Sequence, residues 1–160
     1  MSLRSLSLAS KTVLMTVTAL AVLSVALLAV GGWLMQKEGE RRAAERQETN
    51  MRVAWEVLGR YGATYSIQNG ALFVGQTQLD GNFVPVDRIK TLVGGTATVF
   101  RGDMRVSTNV TKDDGARAIG TPLAKGPVHD AVLGRGEAYR GRADILGKPY
   151  FVAYDPIRDG

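Results

Sequence analysis

An arginine followed closely by two hydroxyl residues is the feature of this chain best suited to chemistry, and that chemistry is anion binding. Arg105 is followed within three positions by Ser107 and Thr108. Arginine presents a planar fork of N–H donors that matches a carboxylate, and hydroxyl groups can complete such a set of hydrogen bonds. Arg142, further along the chain, is a second candidate of the same kind. These residues predict a binding site for a small organic acid.

Catalysis and metal binding have little support in the composition. The chain has no cysteine, and His129, beside Asp130, is its single histidine. Thiol nucleophiles, disulfides, cysteine metal sites and histidine-pair metal sites are therefore excluded. The net charge of +5 is mild and spread along the chain. Without a basic cluster that interleaves with aromatic residues, nucleic acid is a poor candidate partner. We expect no enzyme activity, no metal and no cofactor.

A β-hairpin is the element predicted to position Arg105. Residues 96–100 and 104–108 have strand composition, and a two-residue turn led by Gly102 separates them. That turn pairs Phe100 with Arg105. Side chains alternate between the two faces of a strand, so the hairpin has two distinct faces. The face with Arg105 is then predicted to hold Thr96, Thr98, Phe100 and Ser107.

Thr108 falls on the opposite face from Arg105 under this alternation. Both side chains could therefore contact one ligand only if the strand breaks after Ser107. Two simpler interpretations stay open. Arg105 could be an exposed strand residue paired with an acid, and Thr108 could be a buried hydroxyl of the core.

A second hairpin is predicted over residues 137–146 and 149–157, with the turn at Gly147. Its register makes Arg140 face Asp155 as a cross-strand ion pair. One face is expected to carry three tyrosines, which line either the core or a ligand site. The candidate ligand residues of this hairpin are Arg142, Tyr139, Tyr150 and Tyr154.

The first part of the chain predicts a membrane anchor. Residues 12–35 are apolar, long enough to span a bilayer, and preceded by the basic residues Arg4 and Lys11. The positive-inside rule then places residues 1–11 in the cytoplasm and residues 36–62, predicted to be helical, outside. A cleaved signal peptide is the alternative, but its apolar region would be shorter.

The exterior helix carries one apolar stripe at helical spacing, formed by Met51, Ala54, Trp55, Leu58 and Tyr61. The stripe fits packing against the chain's own sheet, or against a second copy in a homodimer. Residues 63–160 are predicted to form one α+β domain. Its further elements are strands at 71–78 and 83–86, helical turns at 87–92 and a short helix at 128–133.

Three stretches of the sequence resemble single-Cache sensor domains of bacterial chemoreceptors. They read VDRIKTLVGGTATVFRGDMRVSTNV, GARAIGTPL and VLGRGEAYRGRADILGKPYFVAYDPIRDG, and together they cover residues 86–160. The resemblance implies a PAS-like antiparallel sheet, a small-molecule ligand and a place in the bacterial inner membrane with the sensor outside. Such domains are usually found in methyl-accepting chemotaxis proteins and less often in histidine kinases or cyclase-linked sensors. A membrane-anchored envelope adaptor without signalling output is the remaining alternative.

The resemblance also bears on the site and on the sheet. Citrate-sensing relatives use an arginine and a polar residue three positions later, which correspond to Arg105 and Thr108. They place another ligand arginine near the position of Arg142, with a spacing that differs by one. The family's sheet has one more strand, which lies centrally and would follow Gly160. We therefore expect a sheet that lacks its last strand, in a fragment of a longer receptor or a truncated product.

Overall fold

The computed structural model describes residues 8–158, which form helices and antiparallel strands in an α+β arrangement. Two compact units divide the chain, Met1–Arg42 and Ala43–Gly160, and we call the second the C-terminal unit. The elements are α1 (Leu8–Gly59), β1 (Tyr65–Gln68), β2 (Ala71–Val74), β3 (Thr77–Gln78), α2 (Val84–Val93), β4 (Thr98–Arg101), β5 (Met104–Thr108), α3 (Pro127–His129) with a π-helical continuation (Asp130–Gly134), β6 (Tyr139–Ile145) and β7 (Lys148–Tyr154). The fold class predicted from the sequence is confirmed.

The helix α1 runs without a break from Leu8 to Gly59. It contains a stretch that is long and apolar enough to cross a membrane, and none of that stretch is buried by the rest of the chain. Its few hydroxyl groups bond within the helix, as Thr18 does to the carbonyl of Leu14 at 2.8 Å. Such local bonds satisfy polar groups where no water is present. Most of the predicted cytoplasmic segment, residues 1–7, lies outside the described residues.

The end of α1 belongs to the C-terminal unit and packs on its core. Leu58 is buried there, and Trp55 meets the ring of Tyr65 edge-on with the ring centroids 6.0 Å apart. Of the two interpretations of the apolar stripe, packing on the chain's own domain therefore holds for these residues. The buried core consists of Leu58, Leu72, Val74, Leu79, Val86, Val99 and Val106.

The segment predicted as one strand at 71–78 is two strands, β2 and β3, because the chain turns at Gly75. Gly75 has a positive φ of 56°. A side chain at Gly62 would place its Cβ 2.6 Å from Gly75, so the two glycines allow a close approach of backbones. The strand β1 was not predicted. It pairs with β2, and β2 pairs with β3, in one small antiparallel sheet.

The strand predicted at 83–86 is wrong, because this segment begins the helix α2. Pro85 lies in the first turn of the helix, where its missing N–H costs nothing. The side chain of Asn82 accepts a hydrogen bond from the backbone N–H of Val84 at 3.1 Å. A proline and an upstream asparagine are helix-start signals, and here they override the β-branched composition. Gly94 ends the helix in the left-handed conformation.

The two predicted hairpins are both present, as β4–β5 and β6–β7. Each is a separate two-stranded sheet among the described residues. The ring of Phe100 on β4 lies 6.0 Å from the ring of Tyr154 on β7, so the hairpins contact each other through side chains. The short helix predicted at 128–133 is confirmed as α3 and its π-helical continuation.

Candidate functional site

The turn of the β4–β5 hairpin is the one that the sequence predicted. Gly102 has a φ of 59°, Arg101 pairs with Met104, and Phe100 pairs with Arg105. Beyond this point the predicted register is wrong. Val99 pairs with Ser107, and Thr98 pairs with Thr108, because a β-bulge interrupts the ladder between Val99 and Phe100. Val106 is the extra residue of the bulge and points into the core.

The bulge places Arg105 and Thr108 on the same face of the hairpin, although they are three positions apart. The hydroxyl of Thr108 bonds to that of Thr98 at 2.7 Å, so these two side chains share a face. Thr98 and Phe100 alternate onto one face of β4, and the guanidinium of Arg105 lies 5.0 Å from the Phe100 ring centroid. From the sequence, this arrangement needed a break in the strand after Ser107. The bulge at Val106 interrupts the strand one residue earlier.

Ser107 does not lie on the Arg105 face, contrary to the predicted register. It sits opposite Val99, a core residue, and its hydroxyl donates a hydrogen bond to the backbone carbonyl of Asn82 at 2.5 Å. The side chain is completely buried. Its bond ties β5 to the segment before α2, which is a structural role in the fold.

Arg105 is the central residue of the candidate site. It is 4% exposed, and it is the only charged residue in the buried set of residues 9–39 and 41–158. One terminal nitrogen donates to the hydroxyl of Thr121, but the buried Nε has no hydrogen-bond partner. No ion pair of the described residues involves Arg105. Burial lowers the pKa of its guanidinium, and the nearby Tyr154 partly opposes this.

Such an environment leaves a desolvated cation with an unused donor. Burying a charge is costly unless it is paired and hydrogen-bonded. A carboxylate that approaches the Nε edge would supply both the opposite charge and an acceptor. The arrangement is therefore chemically suited to bind an anion.

A loop after β5 brings Thr121 to Arg105, and sequence analysis did not identify this residue. The backbone N–H of Arg105 bonds to the carbonyl of Thr121 at 3.1 Å, and the N–H of Gly120 bonds to the carbonyl of Arg105 at 2.9 Å. The loop thus continues the pairing along the outer edge of β5. A Gly-Thr-Pro sequence signals a turn, but nothing in it indicates a contact with residue 105.

Arg117 holds the start of this loop in place. Its guanidinium donates to both carboxylate oxygens of Asp87 on α2 at 2.8 Å, and also to the carbonyl of Thr108 at 2.8 Å. It lies 4.5 Å from the ring centroid of Phe83. The charge of Arg117 is therefore paired, and its hydrogen bonds link α2, β5 and the loop.

The Asp87–Arg117 pair gives the fold an acid-sensitive component. Hydrogen bonds from Arg117 lower the pKa of Asp87, so the folded state holds this proton less tightly than the unfolded state, whose value is about 3.9. The resulting stabilisation is present above that value and is lost as the pH falls through the lower, folded value. Urea unfolding at pH 7 and at about pH 3 is expected to show a smaller acid-induced loss of stability in Asp87→Asn than in the wild type. Asp113→Asn, at a fully solvated carboxylate, is the control and should behave like the wild type. An equal acid slope in wild type and Asp87→Asn would contradict this assignment.

The turn of the β6–β7 hairpin differs from the predicted one by a single position. Leu146 and Gly147 are its central residues, with φ values of 54° and 80°. A two-residue turn of this kind needs positive φ at both positions, and the side chain of Asp144 accepts a hydrogen bond from the N–H of Gly147 at 2.7 Å. The register therefore shifts by two residues, so that Arg142 faces Phe151 rather than Ala153.

A two-residue shift preserves the faces, so the tyrosines still share one side of the hairpin. Tyr154 is partly buried beside Phe100, and burial raises the pKa of its hydroxyl. Tyr139 pairs with Tyr154 across the strands, but its hydroxyl donates to the carbonyl of Arg142 at 3.0 Å. Tyr150 is 40% exposed near the turn. Tyr154 is thus the tyrosine that the structure brings to Arg105.

Arg142 lies on the opposite face of the hairpin from Tyr154. It is exposed, and its guanidinium lies 4.9 Å from the ring centroid of Phe151. The structure therefore does not bring the two candidate arginines, Arg105 and Arg142, to one site. The assembled set comprises Arg105, Thr108, Thr121, Phe100 and Tyr154.

A polar contact joins the end of β7 to α1, directly beside the candidate site. The indole N–H of Trp55 donates to Asp155 at 2.8 Å. Arg140 reaches Asp155 at 2.6 Å, so the predicted ion pair forms, but as a diagonal contact, because Arg140 faces Ala153 in the register. Arg140 also bonds to Glu48 on α1 at 2.9 Å. Burial by itself lowers the pKa of Arg140, but the hydrogen bonds and charges of Asp155 and Glu48 together outweigh it, so the pKa is raised. We call Glu48, Trp55, Arg140 and Asp155 the α1 clamp.

Comparison with known proteins identifies the domain. No curated protein and no solved structure matches the chain. The sequence model of the family Single cache domain 3 matches residues 77–160, just over half of the 160-residue chain. The match covers α2, both hairpins and the loop that carries Thr121. This chain belongs to the Single cache domain 3 family.

Proposed function

We propose that this protein senses a small organic acid outside the cell membrane and passes the signal along α1 into the membrane. Membership of the family supports the coarser part, because Cache domains are extracytoplasmic modules that bind small molecules. We choose an organic acid as the ligand because the Nε of Arg105 is buried and has no hydrogen-bond partner. A carboxylate bound there would neutralise a charge that the fold leaves uncompensated.

The binding residues have separate roles in this proposal. Arg105 pairs with the carboxylate, and Thr121 orients the guanidinium by accepting a hydrogen bond from one of its terminal nitrogens. Tyr154 contributes a hydroxyl and, with Phe100, an apolar wall. The hydroxyl of Thr108 bonds to Thr98 and accepts from the N–H of Val110, so it supports the site's framework.

Transduction would use the adjacency of Tyr154 and Asp155. Successive residues at the end of β7 serve the site and the α1 clamp, so a ligand that repositions Tyr154 also displaces the partner of Trp55. Ligand binding would then favour one of two packings of α1 against the hairpin, which is a population shift between states. The chain would work in this way as a receptor without enzymatic activity.

The proposed topology places the N-terminus in the cytoplasm and the C-terminal unit outside. Because the chain contains no cysteine, single cysteines can be introduced without background. A membrane-impermeant maleimide applied to cells with permeabilised outer membranes is expected to label Lys125→Cys, whereas Ser5→Cys should react only after lysis. Labelling of both positions, or the reverse pattern, would contradict this topology.

Ligand binding can be tested with pairs of compounds that differ only in charge. The full chain in lipid nanodiscs is heated with acetate, propionate, benzoate, succinate or citrate, and with the matching neutral amides. At about 100 times the dissociation constant, the correct acid should stabilise the fold by about 2.7 kcal/mol, whereas its amide should not. If acids and amides shift the melting temperature equally, or if no acid shifts it, the organic-acid proposal fails.

The output we propose is chemotaxis, as in the receptors that the sequence resembles. A kinase-linked or cyclase-linked sensor of the same architecture is the alternative. In the source cells, deletion of the gene should abolish swimming responses to the acid that the thermal assay identifies. An unchanged swimming response would instead support one of the other outputs.

A further inference from the structure

The charge balance around Arg105 limits how many carboxylates its ligand can carry. The neighbouring arginines already have acidic partners: Arg101 pairs with Asp80 at 3.2 Å, and Arg117 pairs with Asp87 at 2.8 Å. Arg140 is likewise held within the α1 clamp. Among residues 9–39 and 41–158, Arg105 therefore supplies the single uncompensated buried charge.

The second arginine that the sequence offered for an additional carboxylate does not reach this site. Arg142 is exposed on the far face of the β6–β7 hairpin, where it stacks on Phe151. The groups that surround the Arg105 guanidinium are instead aromatic rings and hydroxyls, from Phe100, Tyr154 and Thr121. A second ligand carboxylate in this environment would be desolvated without a cation to pair with it.

We infer that the Arg105 site takes monocarboxylates with a short apolar or aromatic body, in preference to dicarboxylates and tricarboxylates. The carboxylate meets the free Nε edge of Arg105, and the body of the ligand packs against Phe100 and Tyr154. This inference rests on the proposed function, because it assumes that the site binds an organic acid.

Isothermal titration of the full chain in nanodiscs, at fixed pH and ionic strength, tests the inference. The probes are propionate and benzoate as monocarboxylates, succinate as a dicarboxylate and citrate as a tricarboxylate. We expect the better monocarboxylate to bind at least about tenfold more tightly than succinate or citrate, since the extra carboxylates lose their hydration without compensation. Arg105→Met should abolish monocarboxylate binding, and Arg135→Met, at an exposed arginine paired with Glu137, should not change it.

The outcomes distinguish a failure of the monocarboxylate inference from a failure of the proposed organic-acid site. Succinate or citrate that binds as tightly as propionate, and loses affinity in Arg105→Met, overturns the monocarboxylate inference but supports an organic-acid site. A selective loss of succinate or citrate affinity in Arg142→Met overturns it as well, because Arg142 would then serve a second carboxylate. Binding that persists unchanged in Arg105→Met, or the absence of binding by every acid, overturns the inference and the proposed function together.

Discussion

Replacement of Arg105 by methionine is expected to abolish the response to organic acids while leaving the ligand-free fold as stable as the wild type or more stable. Replacement of a buried residue usually destabilises the folded state. Here the replaced group is a desolvated charge without an acidic partner, and its Nε has no hydrogen bond. Methionine fills similar volume without that cost, although the hydrogen bond to Thr121 is lost. Replacement of buried ionic groups by well-packed apolar ones is often neutral or stabilising by about 1–4 kcal/mol. The loss of affinity should reach about 2–5 kcal/mol, or at least about 30-fold.

Both effects are measured on one sample, by urea unfolding without ligand and by titration with propionate. Arg101→Met is the matched control, since Arg101 lies on the same hairpin but pairs with Asp80. That variant should lose about 1 kcal/mol of stability and keep its affinity. If Arg105→Met is strongly destabilised in the absence of ligand, then Arg105 stabilises the fold, and its charge is compensated by interactions other than those described above.

Replacement of Asp155 by alanine is expected to cause a large loss of stability. Asp155 accepts the indole N–H of Trp55 and pairs with Arg140, and its side chain is only 18% exposed. Removing one partner of a largely buried pair costs about 3 kcal/mol. Arg140 then keeps only the partly exposed Glu48 as a partner, and the indole N–H of Trp55 loses its acceptor. Urea unfolding of the full chain in nanodiscs measures this change. Asp155→Asn keeps an acceptor for Trp55 and should lose less.

The control for the clamp is a pair of the same chemistry in solvent. Arg135 and Glu137 bond at 2.8 Å, but both side chains are more than half exposed. Glu137→Ala should therefore cost at most about 1 kcal/mol. Equal losses of stability in Asp155→Ala and Glu137→Ala would show that the α1 clamp stabilises the fold no more than a surface ion pair does. The proposed coupling from Tyr154 to α1 would then be wrong.

The sequence predicted those parts of the fold that depend on local signals. Glycine at position 102 set the first hairpin turn, and the apolar run after Lys11 set a helix able to cross a membrane. The turn at Leu146 and Gly147 was misplaced by one residue, because a non-glycine residue adopts positive φ there. Pro85 lies within the strand predicted at 83–86, although it begins a helix.

The candidate site was only partly predictable, for a physical reason. Alternation along β5 set Arg105 and Thr108 on opposite faces, and only the bulge at Val106 unites them. That bulge buries Val106 in a core whose other members, apart from Val99, lie on more distant elements of the chain. The isolation of Arg105 depends in the same way on where Asp80, Asp87 and Asp155 find other partners. Such long-range competition leaves no mark on the sequence near residue 105.

Arginine Nε resonances report directly on whether the unpartnered Nε of Arg105 receives the ligand's carboxylate. A ¹H–¹⁵N spectrum of the full chain in nanodiscs is recorded during titration with propionate and with propionamide, and Arg105→Lys identifies the Arg105 signal by its absence. We expect a saturable shift of this one Nε resonance with propionate and no shift with propionamide. Saturable binding of propionate that leaves the Arg105 resonance in place would contradict it.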